Sequence, residues 1–190
     1  MALRVIGLDP GLRQTGWGVI DSAGSRLSHV ANGIVATDAS LELGERLVQL
    51  KQGIEEILAA YAPGEAAVEE TLANRNPSST LKLGMARGVA LLAPSLAGIP
   101  VSEYLPMIVK KAVVGTGHAK KEQVAMMVER LLPGCEIAGA DSADALAVAI
   151  CHAHNRSTRA AWDRGAEDPL AAAVARAEAK AAAASGGGRG

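Results

Sequence analysis

Apolar residues along this chain recur with two different periods, and the changes of period divide it into elements. Residues 3–9 and 15–21 are short β-branched runs joined by a turn and read as a hairpin, with Gly16 and Gly18 flanking Trp17. Residues 27–36 (LSHVANGIVA) read as a third strand, with Asn32-Gly33 as a candidate bulge. From 40 to 60 the spacing becomes three and four: Leu43, Leu47, Leu50, Ile54, Ile57 and Leu58 make one stripe of an amphipathic helix. Pro63-Gly64 breaks it, and AAVEE (66–70) is a short run that suits a buried strand. The loop NRNPSS leads into a second helix near 78–97. Residues 100–104 suit a further strand, and helices follow at about 106–113, 119–132 and 140–155.

Three strands in a meander, then helix, strand, helix, strand and helices, is an α/β order. The meander should pair antiparallel and the later strands should join through helical crossovers, giving a mixed five-stranded sheet flanked by helices. After Asn155 the texture changes to an Ala- and Gly-rich tail. The expected division is a domain over 1–155 and a flexible, at most transiently helical, tail over 156–190.

Composition narrows the class. The chain has 190 residues, 49 % apolar and 21 % charged, enough for one ordinary domain with a real core. No apolar run approaches the ~20 residues that cross a bilayer, and MALRVIGLDPG does not read as a secretory signal. Cys135 and Cys151 have neither disulfide-framework density nor CxxC spacing, so both are expected reduced and buried, in a cytoplasm. Net charge is −1, with 13 basic and 16 acidic residues in 1–155. Such a chain binds phosphates only if its cations are grouped and its acids are gathered around metal.

Several acids stand where a core or a turn would not need them. Asp9 closes the first strand, although Asp-Pro-Gly is also ordinary turn chemistry. Glu69 ends the apolar run AAVE, where an acid is costly to desolvate without a cation. In GADSADALAVAIC, Asp141 and Asp144 are spaced i, i+3 at a helix start and share a face; a helix cap and a first-turn acid would account for them separately. Behind them Leu146, Ala149, Ile150 and Ala153 are expected to pack on the sheet. Carboxyl ends of neighbouring strands are the usual place for an α/β site. Brought together, these carboxylates would repel one another unless a metal neutralised them. Oxygen-only ligands suit Mg2+ or Mn2+, and two such ions about 4 Å apart serve phosphodiester hydrolysis.

These residues resemble the RuvC-type Holliday-junction endonucleases, from the N-terminus to about His154. GLDPGLRQTGWGVI is similar to that family's opening hairpin, with Asp9 as its first acid. VEETLANRNPSSTLKLGMARGVA resembles the segment carrying the second acid, at Glu69. YLPMIVKKAVVGTGHAKKEQV is similar to the basic segment, and ADSADALAVAICHAH to the terminal acidic pair, Asp141 and Asp144. The resemblance implies a ribonuclease H-like fold, two divalent ions per site and a homodimer cutting opposed strands of a four-way DNA junction. It also implies a branch-migration motor as partner.

Lys110 and Lys121 fall where the family motif has lysine, and Lys111 and Lys120 add charge beside them. Arg75, Lys82 and Arg87 follow Glu69 and could line a route for DNA. Gly115-Thr116-Gly117 is a weak candidate phosphate loop. Leu72 occupies the place where the family commonly has an aromatic near the junction centre, and the chain contains no Phe. Gly84, Ala86, Gly88 and Ala90 would let another helix, or the chain's own sheet, approach the second helix closely. His118, His152 and His154 are read as surface or capping residues. A sugar-kinase or actin-like ATPase, a non-catalytic junction-binding module and a related nuclease on other branched DNA or RNA are the alternatives.

Overall fold

A computed structural model describes residues 2–70 and 76–165. Its elements are β1 (Leu3–Asp9), β2 (Gln14–Ala23), β3 (Arg26–Ala36), α1 (Leu43–Tyr61), β4 (Glu65–Glu69), α2 (Pro77–Leu96), β5 (Val101–Tyr104), α3 (Pro106–Val114), α4 (Lys121–Leu131) and α5 (Ala140–Gly165). Contacts divide the chain at Asn155 into residues 1–155 and 156–190. Among the described residues no helix is long and apolar enough to cross a membrane.

The five strands form one mixed sheet in the order β3-β2-β1-β4-β5. β1 pairs antiparallel with β2 and parallel with β4, and β4 pairs parallel with β5. Alternation along β1 separates two cores. Ile6 and Leu8 face α1 and α2, together with Val19, Ala66 and Val68. Val5 faces α5 with Ile20 and Ala67, and beyond α5 lie Val109, Val113, Val124 and Val128 of α3 and α4. Side chains that alternate across a strand make this two-sided burial possible.

The helix at 140 differs from expectation in two respects. It packs by more than one stripe: every residue from Ala145 to Ala153 is buried. A helix sandwiched between a sheet and two other helices is apolar all round. It also continues to Gly165, because RSTRAAWDR contains no breaker. The bulge sits elsewhere too. Trp17 pairs with Gly33 and Gly18 with Asn32 in regular register, and the shift falls between Val19 and Ile20, opposite Val30. The Asn32 side chain is held, donating to the Glu136 carbonyl at 2.9 Å and accepting from the Ala138 amide at 2.9 Å.

Small residues of α2 divide between the two roles considered. Ala86 and Ala90 are fully buried on the chain's own sheet. Gly84 and Gly88 face open space, beside exposed Leu81, Met85, Leu92 and Leu96. Cys151 is buried and Cys135 half-buried, and neither is in a disulfide. Burial pushes the Cys151 thiol up to about 12.

Candidate metal centre at the strand ends

Asp9 and Glu69 end the two central parallel strands, whose register runs Leu8 opposite Val68 immediately before them. Both point to the α5 side of the sheet, by alternation with Val5 and Ala67. Asp9 lies opposite Gly16 of β2. That side of the hairpin is lined by Gly7, Gly16 and Gly18, and there α5 comes down onto bare backbone. A Cβ at Gly7 would fall 2.1 Å from the Ala145 carbonyl oxygen, and one at Gly16 would fall 1.9 Å from that of Asp141. One at Gly18 would meet the Leu146 side chain at 2.6 Å. The three glycines therefore form a groove that seats the first turns of α5 against the strand end. Ser142 fixes the start of that helix, its hydroxyl donating to the Gly139 carbonyl at 2.7 Å and accepting from the Gly139 amide at 2.9 Å.

Seated this way, α5 delivers its two acids to the strand acids. Asp9, Asp141 and Asp144 present carboxylate oxygens within 4.8 Å of one another. Glu69 joins them electrostatically, raising Asp9 and being raised by Asp144. Burial, then the charges of Glu69, Asp144 and Asp141, push the Asp9 carboxyl up to about 8. Burial, then Asp144, push Glu69 up to about 7, against a hydrogen-bonding interaction with Asp9 and the charges of Lys121 and Lys110. Four acids crowded until two resist ionisation form a site that lacks positive charge. An all-oxygen donor set fits a hard divalent cation.

Lys121 supplies part of the missing charge, its Nζ lying 2.7 Å from Asp144 Oδ2. Lys110 is half-buried and its charge reaches Glu69. Lys111 and Lys120 are exposed, and Lys120 caps α4, its amide donating to Gln123 Oε1 at 2.9 Å. Arg87 is engaged with Glu103 of β5, its Nε 2.7 Å from Oε1. Lys82 lies apart from the acids, in a pocket with Arg13 and Arg46. Leu72 and Arg75 fall outside the described residues.

Gly115-Thr116-Gly117 does not open a helix. Gly115 ends α3 with φ 90°, and its N–H is spent on the Lys111 carbonyl, while α4 begins at Lys121. His152 is no surface residue. It is 5 % exposed, with Nδ1 2.9 Å from the Tyr104 hydroxyl and Nε2 2.7 Å from Glu65 Oε2. Its place on α5, flanked by Cys151 and Ala153, was the available signal. His118 is exposed, and His154 Nδ1 lies 3.3 Å from the Ala112 carbonyl oxygen.

A mixed sheet with an acid on each of two central strand ends, completed by an acidic pair on a crossing helix, places the chain in the ribonuclease H-like fold class, with an acidic cluster of the kind that a metal-dependent nuclease uses. Comparison with known proteins narrows this. The family described as crossover junction endodeoxyribonuclease RuvC matches residues 5–152. A protein of that name from Paramagnetospirillum magneticum is 60 % identical over 174 residues, covering 92 % of this chain and all of the relative. One from Rhodospirillum rubrum is 63 % identical over 155 residues, 82 % of this chain and 92 % of the relative. The structure of T. thermophilus RuvC in complex with Holliday junction substrate is 35 % identical, with a TM-score of 0.76 over 82 % of this chain and 96 % of that one. The yeast mitochondrial Holliday junction resolvase Ydc2, 12 % identical with a TM-score of 0.60, shares the fold. The chain belongs to the RuvC family of crossover junction endodeoxyribonucleases.

Proposed function

We propose that the chain resolves four-way DNA junctions by paired, symmetric phosphodiester hydrolysis, in recombination and repair. The convergence of Asp9, Glu69, Asp141 and Asp144 at one sheet end, in a chain of this family, carries the reading. These four would hold two Mg2+ or Mn2+ ions. Bound there, the ions would activate a water and stabilise the leaving oxygen of the phosphodiester.

The chain's own residues supply the geometry. Asp9 and Glu69 are fixed by strand pairing, and Asp141 and Asp144 by the seating of α5 on Gly7, Gly16 and Gly18. Lys121 and Lys110 face the acids and would bind the strand being cut through its phosphates. Lys111, Lys120, Lys82, Leu72, Arg75 and Arg87 are the remaining candidates for DNA contact. Phosphate contacts carry no sequence information, so shape and two-fold geometry would select the junction.

A two-fold substrate calls for two sites. Leu81, Gly84, Met85, Gly88, Leu92 and Leu96 share one exposed face of α2. A contiguous apolar face of this kind favours self-association, with the same patch on both subunits. A homodimer, a cytoplasmic location and a branch-migration motor as partner complete the proposal. Residues 1–155 would form the nuclease unit, with 156–190 as an appendage.

Cleavage of a synthetic four-way junction, set against linear duplex with and without divalent metal, tests the reading. Symmetric nicks confined to the junction and dependent on metal are the expected result. Equal cutting of linear duplex, or metal-independent cutting, would overturn it.

A further inference from the structure

The hairpin turn that follows Asp9 carries a second charged feature, on the opposite side of the sheet. Leu12 leaves the turn toward the core formed with α1 and α2. There a pocket of about 570 Å³ is lined by Arg13 from the turn, Arg46 from α1 and Lys82 from α2, with Ser79 beside them. Among the described residues, none that lines it is acidic. In a chain of net charge −1, three cations from three elements in one pocket form a marked local excess.

The pocket is pre-organised. Arg46 donates from Nε to Thr37 Oγ1 at 3.0 Å and from Nη2 to the Leu12 carbonyl at 3.2 Å. Thr37 adds its own hydroxyl to that carbonyl at 2.6 Å. Thr15 ties the turn, accepting from the Gly11 amide at 3.1 Å and donating to the Gly11 carbonyl at 2.8 Å. The nearby acid Asp38 feels the charge of Arg46, but its carboxylate already accepts from Ser40 through the amide at 2.8 Å and the hydroxyl at 2.7 Å. Arg13 and Lys82 are exposed and make no ion pair among the described residues.

We propose that Arg13, Arg46 and Lys82 form a phosphate seat for the DNA strand that flanks the scissile bond. Arg13 is four residues from Asp9, so their backbones are at most about 14 Å apart. That is about four base-pair rises of 3.4 Å. Phosphates a few steps along a strand held at the acid cluster would therefore fall near Arg13, whose pocket also holds Arg46 and Lys82. Guanidinium forks suit phosphate oxygens, and an Arg held by neutral acceptors keeps its charge for a ligand. The seat rests on the junction-cleaving reading of the acid cluster, but it is tested separately.

The test is the Arg13→Ala/Lys82→Ala double variant of the full chain. Its affinity for a four-way junction is measured against salt without divalent metal, so that no strand is cut. Lys51→Ala serves as control, because Lys51 is paired with Glu55 on α1. The seat requires the double variant to bind at least about tenfold more weakly, with a salt slope shallower by about two, while the control matches wild type. An unchanged slope in a double variant of wild-type Tm overturns the seat. Wild-type cleavage with Mg2+ is followed in parallel and decides the other question. If wild type fails to cut the junction while the double variant still loses slope, the junction-cleaving reading falls, and the three cations remain a phosphate seat that flanks no cut.

Discussion

The carbonyl of Asp141 rests on Gly16: a Cβ there would fall 1.9 Å from that oxygen. Gly16 pairs with Asp9 across the hairpin, so one backbone contact sets how closely the α5 acids approach the strand acid. Gly16→Ala should push the start of α5 off the sheet. Overpacking of this kind costs about 1–3 kcal/mol, and a shift of about 1 Å in a site can cost about a hundredfold in rate. Junction cleavage alongside a thermal melt checks both. A variant with wild-type turnover would show that the groove does not position the acids.

Acidity gives the metal-free site a pH signature. Asp9 titrates near 8 and Glu69 near 7 in the folded chain, against ordinary values of 3.8 and 4.5. Between about pH 4 and pH 8 the folded state therefore holds more protons than the unfolded chain, and its stability falls as pH rises. Tm of EDTA-treated protein should decline across that window. Saturating Mg2+ should flatten or reverse the decline, since metal competes with the protons. A metal-free Tm that rises from pH 5 to 8 would contradict the crowding.

Lys121 bridges to Asp144 at 2.7 Å. Lys121→Ala and Lys110→Ala should each weaken junction binding and make the salt slope shallower by about one. Lys121→Ala should also tighten Mn2+ binding, because a competing charge leaves Asp144. Fluorescence anisotropy across a salt series and calorimetric titration read the two effects. Unchanged slopes in both variants would leave these as ordinary surface lysines.

His152 ties α5 to β4 and β5 through Glu65 and Tyr104. His152→Leu strips one hydrogen-bond partner from each, a loss of about 1–3 kcal/mol, or several degrees in Tm. Cleavage well below the new Tm should persist, because the charged partner of His152 is Glu65, at the opposite end of β4 from Glu69. Loss of activity without loss of Tm would give His152 a role in the site.

Local pattern made most of this fold legible. The hairpin, the 43–61 helix and the acid at each strand end could be read because period and punctuation are local properties of the chain. What could not be read depends on the partner face. Gly7, Gly16 and Gly18 look like loose strand residues until α5 lies on them. His152 looks like a helix-end histidine until Tyr104 and Glu65 arrive from strands some 48 and 87 positions away. Arg13 and Arg46 were missed for the same reason: neither belongs to a charge run, and only the turn at Leu12 brings them together. The GTG segment misled because its first glycine closes one helix well before the next begins.

The central claim is that four carboxylates together form one centre for divalent cations. Calorimetric titration of Mn2+ into wild type and into Asp9→Asn, Glu69→Gln, Asp141→Asn and Asp144→Asn tests it most directly. Every substitution should weaken Mn2+ binding at this centre by at least about tenfold while leaving the fold intact. A substitution among the four that leaves Mn2+ binding at wild-type strength would remove that acid from the site and contradict the account.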